Sequence, residues 1–448
     1  MLFELPKTQE KSTPQQKTGS RIKLKKGQTV TDLIIQARKI VEEKLGKYKD
    51  ASKCVLNKED LLNFFKELPD DAIIGLDTET TGLNVYTDEL VGISLCNGKD
   101  SIYIPINHKS AIYKTKVPGQ LSPEVIKEVF GDIFKNKHYR YVFHNAKFDL
   151  AVLRTFFGYP LPDPYWDTML LAYLFNQNED HNLKYLYNTY IATEDEGVNR
   201  FDTLFKGITF DFVPIDISTI YAGKDALMTY ELYQYQYKKV NEPDMSGIKY
   251  VFENIEMPLL PILEDMQRYG VNINQEMLQQ LYEKYNERLE QAKAIVYREI
   301  EKYKDDIEKY KLKHYDCKLE DPINLASPLQ LSILFYDIIG YKTKSGKGTG
   351  VNELQEINTD LTKAMLEYRK MEKMIDAFLV ALPKQIEPMD NKIHTSLNQF
   401  GAATGRFSSS SPNLQQIPSR GEGKEIRRIF SASKGNILLS SDFSQLAA

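Results

Sequence analysis

Three apolar segments follow one another along residues 71–106, separated by short turns that contain Gly or Asp. Their sequences are DAIIGLDTET, LVGISLCNG and SIYIPI, and each has the length and composition of a buried β-strand. A helix opening with Ser122, a fourth strand in YRYVFHNA and a mostly helical stretch over 149–236 come next. Consecutive strands followed by alternating strand and helices predict an α/β domain with a mixed sheet.

The regions on either side of this domain have different patterns. Residues 1–30 have the polar and basic composition of a flexible arm, while helical spacing over 29–49 and 58–68 predicts two amphipathic helices. A charged pattern over 275–315 predicts one long helix with a coiled-coil-like partner. GNILLSSDFS, residues 435–444, is expected to form a buried strand.

Composition narrows the class of protein. At 448 residues, 42% hydrophobic and 27% charged, the chain has the balance of a globular protein of roughly two or three domains. No apolar run reaches the ~18–20 residues of a membrane span, and the first residues lack a signal core, so no membrane partner is expected. Cys54, Cys96 and Cys317 lie far apart, which excludes a structural zinc site of the usual spacing.

A pair of carboxylates ends the first strand. Asp77 and Glu79 stand two residues apart in GLDTETTGL. Because side chains at i and i+2 of a strand point to the same face, both are predicted to converge on one site. Two buried like charges repel unless a cation separates them, and a hard divalent cation suits oxygen ligands. Taken alone, such a pair is more often ordinary surface charge.

Two further elements carry polar side chains. Asp149, in FHNAKFDLAVL, follows a strand and opens an apolar helix, and alone it is better interpreted as a helix N-cap. Tyr221 and Asp225 stand four apart in IYAGKDALMTYELY, and i and i+4 share one face of a helix. Taken alone, this is one polar pair on a helix.

The order of these elements resembles the DEDD-type 3′–5′ exonucleases of the tyrosine subclass. The resemblance includes TTGL after the first motif and HNAKFD around the second. It implies two-metal hydrolysis of DNA 3′ ends with two Mg²⁺ or Mn²⁺ ions, since two metals about 4 Å apart generate the nucleophile and stabilise the leaving oxygen.

The resemblance also implies roles for single residues. Asp77 would bridge both metals, Glu79 and Asp225 would complete the tighter site, and Asp149 would hold the second metal largely through water. Tyr221 would orient the attacking water, since a phenol of pKa ~10 is a poor base at neutral pH.

Three more positions match residues of that family that grip a frayed 3′ end. They are Leu83, Asn145 and Phe201. Leu83 and Phe201 would wedge against or stack on unpaired bases. The alternative for Leu83 is plain core packing.

The later part of the chain resembles DNA polymerase I-like (family A) enzymes. FENIEMPLLPILEDMQRYGVNIN resembles the segment after the exonuclease, INLASPLQLSILFYDIIG and LEYRKMEKM the thumb, and HTSLNQFGAATGRFSSSSPNLQQIP the primer-contacting segment. SSDFSQ matches the first polymerase motif, so Asp442 would be a polymerase metal ligand. The DNA contacts implied by the match are Arg406, Asn413, Gln415 and Arg428.

The fold class that these resemblances imply is an α/β RNase H-like exonuclease domain with a mixed sheet, a mainly helical thumb and an incomplete α+β palm. The predicted segments are an arm and helix over 1–57, the exonuclease domain over 58–250, a linker helix and thumb over 251–390, and the palm over 391–448.

Three interpretations of the whole chain are compatible with these motifs. The first is the exonuclease-bearing half of a split family A polymerase, whose fingers and remaining palm come from a second polypeptide. The second is an autonomous DNA exonuclease with a vestigial polymerase remnant that serves as a DNA clamp. The third is a non-enzymatic DNA-binding subunit, which five intact site residues disfavour. The expected partner is DNA, as single-stranded 3′ ends and primer–template, in the cytoplasm of a bacterial or phage-infected cell.

Overall fold

The structure, a computed structural model, describes residues 21–66, 68–135, 139–193, 200–344, 346–402 and 404–441. These residues form two compact units. The first unit comprises 21–269 and 397–409, and the second comprises 270–396 and 410–441. The boundaries of the four predicted segments stay predictions, although the predicted palm segment is divided between the two units.

A six-stranded mixed sheet forms the centre of the first unit. Its order is β1-β4-β3-β2-β5-β6. β3 runs antiparallel to β2 and β4, while β2, β5 and β6 run parallel to one another and β1 runs parallel to β4. The strands are β1 Ser52–Cys54, β2 Ile73–Thr80, β3 Leu90–Cys96, β4 Ser101–Pro105, β5 Arg140–Phe143 and β6 Pro164–Asp167. The predicted mixed sheet is confirmed.

Helices pack around this sheet. They are α1 Val30–Leu45, α2 Lys58–Lys66, α3 Pro123–Lys135, α4 Ala146–Phe157, α5 Thr168–Phe175, α6 Leu183–Tyr190, α7 Phe201–Leu204, α8 Ile215–Val240, α9 Ser246–Val251 and α10 Met257–Tyr269. The two predicted amphipathic helices correspond to α1 and α2. Strands β1 and β6 were not predicted, because each has only three or four residues and β6 lies within a helical pattern.

Helix α8 lies directly against the sheet because one strand has no side chain at the point of approach. A Cβ at Gly75 on β2 would stand 2.8 Å from the backbone oxygen of Ala226 on α8. Side chains in the middle of α8 are therefore buried, including Tyr221 and Asp225. This close approach brings the helix beside the end of β2 that carries Asp77 and Glu79.

Two long helices form the frame of the second unit. The helices are α11 Gln275–Glu301, α12 Lys304–Lys313, α13 Pro328–Ser332, α14 Val351–Ile357 and α15 Asp360–Met374. Leu281 and Tyr285 of α11 pack with Met371 of α15, and Val296 packs with Met365. The predicted partner of the long helix is therefore α15. The single helix predicted over 275–315 is interrupted at 302–303, where the chain turns between α11 and α12.

Short strands complete the second unit, and two more form the ends of the segment 397–409. An antiparallel sheet of order β12-β7-β9-β8 uses β7 Val271–Ile273, β8 Ile386–Glu387, β9 Lys392–Ile393 and β12 Phe430–Ser431. β10 Ser396–Asn398 pairs with β11 Ser408–Ser410.

The prediction of a buried strand within 435–444 is wrong for residues 436–441, the part that the structure shows to be irregular. Residues 436–441 are irregular, and Ile437, Leu438 and Leu439 are 87%, 67% and 87% exposed. Apolar composition predicted a strand, but these side chains have no apolar surface to cover them in the described part of the chain. Asp442 lies outside the described residues. Within those residues no helix is both long and apolar enough to span a membrane.

A buried histidine links the sheet to the residues that precede helix α8. His108 Nδ1 donates to the Val213 carbonyl at 2.9 Å, which leaves Nε2 to accept from the Tyr103 hydroxyl at 2.6 Å. The Tyr103 ring occupies the space that a Cβ at Gly92 would fill, and Gly92 pairs with Glu79. Burial lowers the pKa of His108 to about 4, so the imidazole is neutral in the folded chain near pH 7.

This histidine predicts an acid-sensitive first unit. The unfolded chain protonates His108 near pH 6.5, whereas the folded chain does so near pH 4, so stability present above pH 6.5 is lost as pH falls through that window. The expected loss is about 3 kcal/mol over the full window and about 2 kcal/mol by pH 5. Urea unfolding followed by fluorescence of Trp166, the single tryptophan, at pH 7.5 and 5 should show a weaker pH dependence in His108→Gln. His181→Gln, whose ring bonds at the surface, is the control and should match the wild type.

Candidate active site

Three carboxylates meet at the end of β2. Asp77 and Glu79 project from the strand and Asp225 projects from α8, and one oxygen of each lies within 4.8 Å of the others. Period-two geometry on the strand places the first pair, and the close packing of α8 supplies the third. The predicted convergence of these three side chains is present in the structure.

Burial and mutual repulsion raise the pKa values of the strand pair. The pKa of Asp77 rises to about 7, mainly through burial and then through the charge of Asp225. Burial raises the pKa of Glu79 well above its usual range, with Asp77 and Asp225 adding to the effect. A lysine, Lys184, opposes both shifts. The cluster therefore resists full ionisation unless positive charge is supplied.

Lys184 on α6 was not among the predicted site residues. Its ammonium forms an ion pair with Asp225 Oδ2, and its Nζ lies 5.1 Å from the centroid of the Tyr221 ring. In the sequence, Lys184 stands between apolar residues of a short helix. A lysine in such a pattern more often directs its charge to solvent. Only the fold places this lysine beside a carboxylate.

Asp149 lies within α4 rather than capping it. The N-cap position belongs to Asn145, which has a left-handed backbone (φ 76°) and makes no side-chain cap bond. The Asp149 Oδ1 accepts from the Thr78 backbone N at 3.1 Å and from its hydroxyl at 2.7 Å. Thr78 stands between Asp77 and Glu79, so this bond ties α4 to the carboxylate strand. Interpreting Asp149 alone as an N-cap is therefore wrong.

The start of α4 is held by a different carboxylate. Asp167, at the end of β6, accepts from the backbone N of Asn145 at 3.2 Å and of Ala146 at 2.7 Å. It also caps α5 by accepting from Met169 and Leu170. Asp167 was missed by sequence reasoning, since its strand was not predicted.

Tyr221 lies in an aromatic cluster beside the carboxylates. Its ring is 5.6 Å from that of Phe205, 6.0 Å from that of Phe210 and 6.2 Å from that of Phe201. Burial raises the pKa of Tyr221 well above its usual range, and Asp225 adds to the shift. The phenol therefore keeps its proton at neutral pH. Phe201, predicted to stack on bases, packs here against other rings.

The remaining predicted residues lie outside the three-carboxylate cluster. Leu83 is 67% exposed in the turn after β2, which disfavours its alternative role in core packing. Arg406 is exposed in the segment 397–409 of the first unit. In the second unit Asn413 caps a 3-10 turn by accepting from the Gln415 backbone N, and Arg428 is exposed.

The residues of the cluster fit a divalent cation. Asp225 Oδ1 is buried and has no hydrogen-bond partner among the described residues. Three carboxylate oxygens that converge on one position form the kind of donor set that Mg²⁺ or Mn²⁺ prefers. Asp149, whose pKa burial and Asp77 raise well above its usual range, adds a fourth carboxylate at the edge of this group.

Two regions of the chain match models of known protein families. Residues 53–241 match the family model described as 3′-5′ exonuclease, and residues 293–447 match that of DNA polymerase family A. One region of the chain is thus similar to 3′-5′ exonucleases and a later region is similar to family A DNA polymerases. Exonuclease domains of this type generally use divalent metals.

The relatives are bacterial and phage polymerases. DNA polymerase I of Pseudomonas aeruginosa is 31% identical over 409 residues, which cover 88% of this chain and 42% of that protein. DNA polymerase I of Synechocystis is 31% identical over 394 residues, which cover 84% of this chain and 36% of that protein. The DNA polymerase of Bacillus phage SP01 is 26% identical, covering 86% of this chain and 48% of that protein. The chain therefore spans less than half the length of these curated relatives.

A solved structure shares the fold. The POL domain of Pol1 from M. smegmatis, in complex with DNA primer-template and dNTP, aligns with a TM-score of 0.64 at 22% identity. The alignment covers 86% of this chain and 59% of that one. The predicted succession of a mixed-sheet exonuclease region and a helical polymerase region is confirmed.

The Thr78–Asp149 bond predicts a measurable loss of stability on substitution. Thr78→Val removes the hydroxyl donor to a buried carboxylate and should cost about 1–2 kcal/mol in the free energy of unfolding. Urea unfolding followed by Trp166 fluorescence measures the change. Thr189→Val, which removes an exposed hydroxyl bonded to the Tyr185 carbonyl, is the matched control and should cost less than about 0.5 kcal/mol. Equal costs for both variants would contradict the assigned bond.

Proposed function

We propose that this chain is a metal-dependent 3′–5′ exonuclease of the DEDD tyrosine subclass that acts on DNA 3′ ends, as the proofreading portion of a family A polymerase. The observation that carries the proposal is the meeting of Asp77, Glu79 and Asp225 beside Tyr221. The exonuclease and polymerase family matches support DNA as the substrate, and so does the primer-template bound by the M. smegmatis relative.

The carboxylates would hold two divalent metals. Asp77, Glu79 and Asp225 would hold one, and Asp149 with Asp77 would hold the other. When bound, such metals lower the pKa of a water nucleophile and stabilise the leaving oxygen. The raised pKa of Asp77 supports this assignment, because a cation relieves the repulsion that keeps protons on the cluster.

The chain's own residues would orient the reactants. Water attacks the phosphorus of the last phosphodiester, and the bond from that phosphorus to the 3′ oxygen of the preceding nucleotide breaks. The water gives up a proton to solvent, the released 3′ oxygen takes up a proton from solvent, and the terminal nucleoside 5′-monophosphate leaves. Tyr221 would donate its phenolic proton in a hydrogen bond that positions the water, since a phenol with a raised pKa does not act as a base at pH 7. Leu83, exposed after β2, would contact the terminal bases.

The polymerase region would contribute contacts to the duplex. Arg406, Gln415 and Arg428 have exposed side chains suited to phosphates and minor-groove acceptors, with Asn413 beside them in sequence. These contacts would hold primer–template without reading its sequence. The second polypeptide expected from the motif pattern stays a prediction.

Removing the shared carboxylate should abolish hydrolysis. Asp77→Ala is expected to lower the rate of nucleotide release from labelled single-stranded DNA by several orders of magnitude, with DNA binding preserved. Tyr221→Phe should lower it by about 10- to 10³-fold, since the metals provide most of the charge stabilisation. Asp132→Ala, which removes an exposed carboxylate on α3, is the control. Unchanged, chelator-sensitive activity in Asp77→Ala would refute the site, whereas absence of hydrolysis by the wild-type chain would favour a non-enzymatic DNA-binding subunit.

Hydrolysis should depend on an unpaired 3′ end. A matched duplex must first melt its terminal pairs, which costs a few kcal/mol, so it should be degraded more slowly than one with a mismatched terminus. Release of the labelled terminal nucleotide from both duplexes, with the free single strand as reference, measures this preference. Equal rates on the two duplexes would contradict a proofreading role.

A further inference from the structure

A buried ammonium group shares the carboxylate site. The Lys184 side chain is 10% exposed and the Asp225 side chain 9%, so their ion pair is largely removed from solvent. Lys184 is carried by α6, which packs against α8 through Leu186 and Leu232. The helix that carries the lysine is thus held by packing, and the charged end of the lysine lies over the Tyr221 ring.

The charge of Lys184 acts on the whole cluster. Besides pairing with Asp225, it opposes the upward pKa shifts of Asp77 and Glu79. The neighbouring His144 does not add charge, since burial and then Lys184 lower its pKa to about 3. Lys184 therefore supplies positive charge at a place where a divalent cation is expected.

We propose that Lys184 is a resident counter-ion that stabilises the metal-free site and that a divalent metal must bind against its charge. This proposal rests on the proposed function, because it takes the three carboxylates as metal ligands. It adds a lysine that tunes metal affinity, a role that the carboxylate motifs do not contain.

The geometry of Asp225 supports this competition. Oδ2 is occupied by the ammonium, whereas Oδ1 is buried and has no hydrogen-bond partner in the described part of the chain. One oxygen is thus free for a metal while the other holds a positive charge nearby. Like charges at contact distance in a poorly solvated site repel strongly, so the ammonium lowers metal affinity while it lowers the energy of the free site.

The test measures Mn²⁺ binding by calorimetry on the full chain without DNA. Lys184→Met keeps most of the apolar stem and removes the charge, and it should bind Mn²⁺ at least tenfold more tightly than the wild type. In EDTA the same variant should melt at a lower temperature, and added Mn²⁺ should raise its melting temperature by more than that of the wild type. Lys184→Arg retains the charge and should behave as the wild type does. Lys238→Met, on the exposed face of α8, is the control for loss of a lysine.

The outcomes separate this proposal from the proposed function. Asp77→Asn should lose Mn²⁺ binding, and if it binds as the wild type does, the metal assignment itself fails. Unchanged or weaker Mn²⁺ binding by Lys184→Met would overturn the counter-ion role, as would an equal gain in Lys184→Arg. If Lys184→Met does not fold, Lys184→Gln provides the same comparison with a neutral polar side chain. Absence of Mn²⁺ binding in every chain overturns both proposals.

Discussion

Repulsion between like charges is the constraint around which the first unit is built. Asp77, Glu79 and Asp225 are brought together by a strand and a helix that are themselves firmly packed, so the side chains cannot separate to relieve it. The glycine at position 75 allows that approach, and Lys184 partly offsets its electrostatic cost. The stability of the surrounding sheet thus maintains an arrangement that is unfavourable by itself, as is common at catalytic sites.

Another buried carboxylate, that of Asp167, stabilises the structure around it. Asp167 accepts four backbone N–H groups, two at the start of α4 and two at the start of α5. Such donors would otherwise lack partners in a buried region. Because Asp149 lies in the first turns of α4, the position of this fourth carboxylate depends on Asp167 as well as on Thr78. Asp167 therefore fixes the start of the helix that positions Asp149 beside the carboxylate cluster.

Local periodicity explains which parts of the site were predictable. Asp77 and Glu79 share a strand face, and Tyr221 and Asp225 share a helix face, as their spacing predicted. That the two pairs form one site was predicted only from the resemblance to a known family. Lys184, Thr78 and Asp167 act through contacts between elements far apart in sequence, and no local pattern encodes such contacts. The mixed sheet followed from its apolar runs. The error at 437–439 has the same origin, since apolar composition does not say whether a covering surface exists.

The segment 397–409 shows how chain order and three-dimensional grouping can differ. It belongs to the first unit although 127 residues of the second unit, 270–396, precede it. Leu397 receives a bond from Lys147 and donates to Gln267, and Tyr173 bonds to the Ala402 carbonyl. During synthesis, therefore, residues 21–269 of the first unit lack the segment 397–409 until the ribosome has translated most of the second unit. The first unit is therefore completed only when this segment, which is translated late, has been added to the chain.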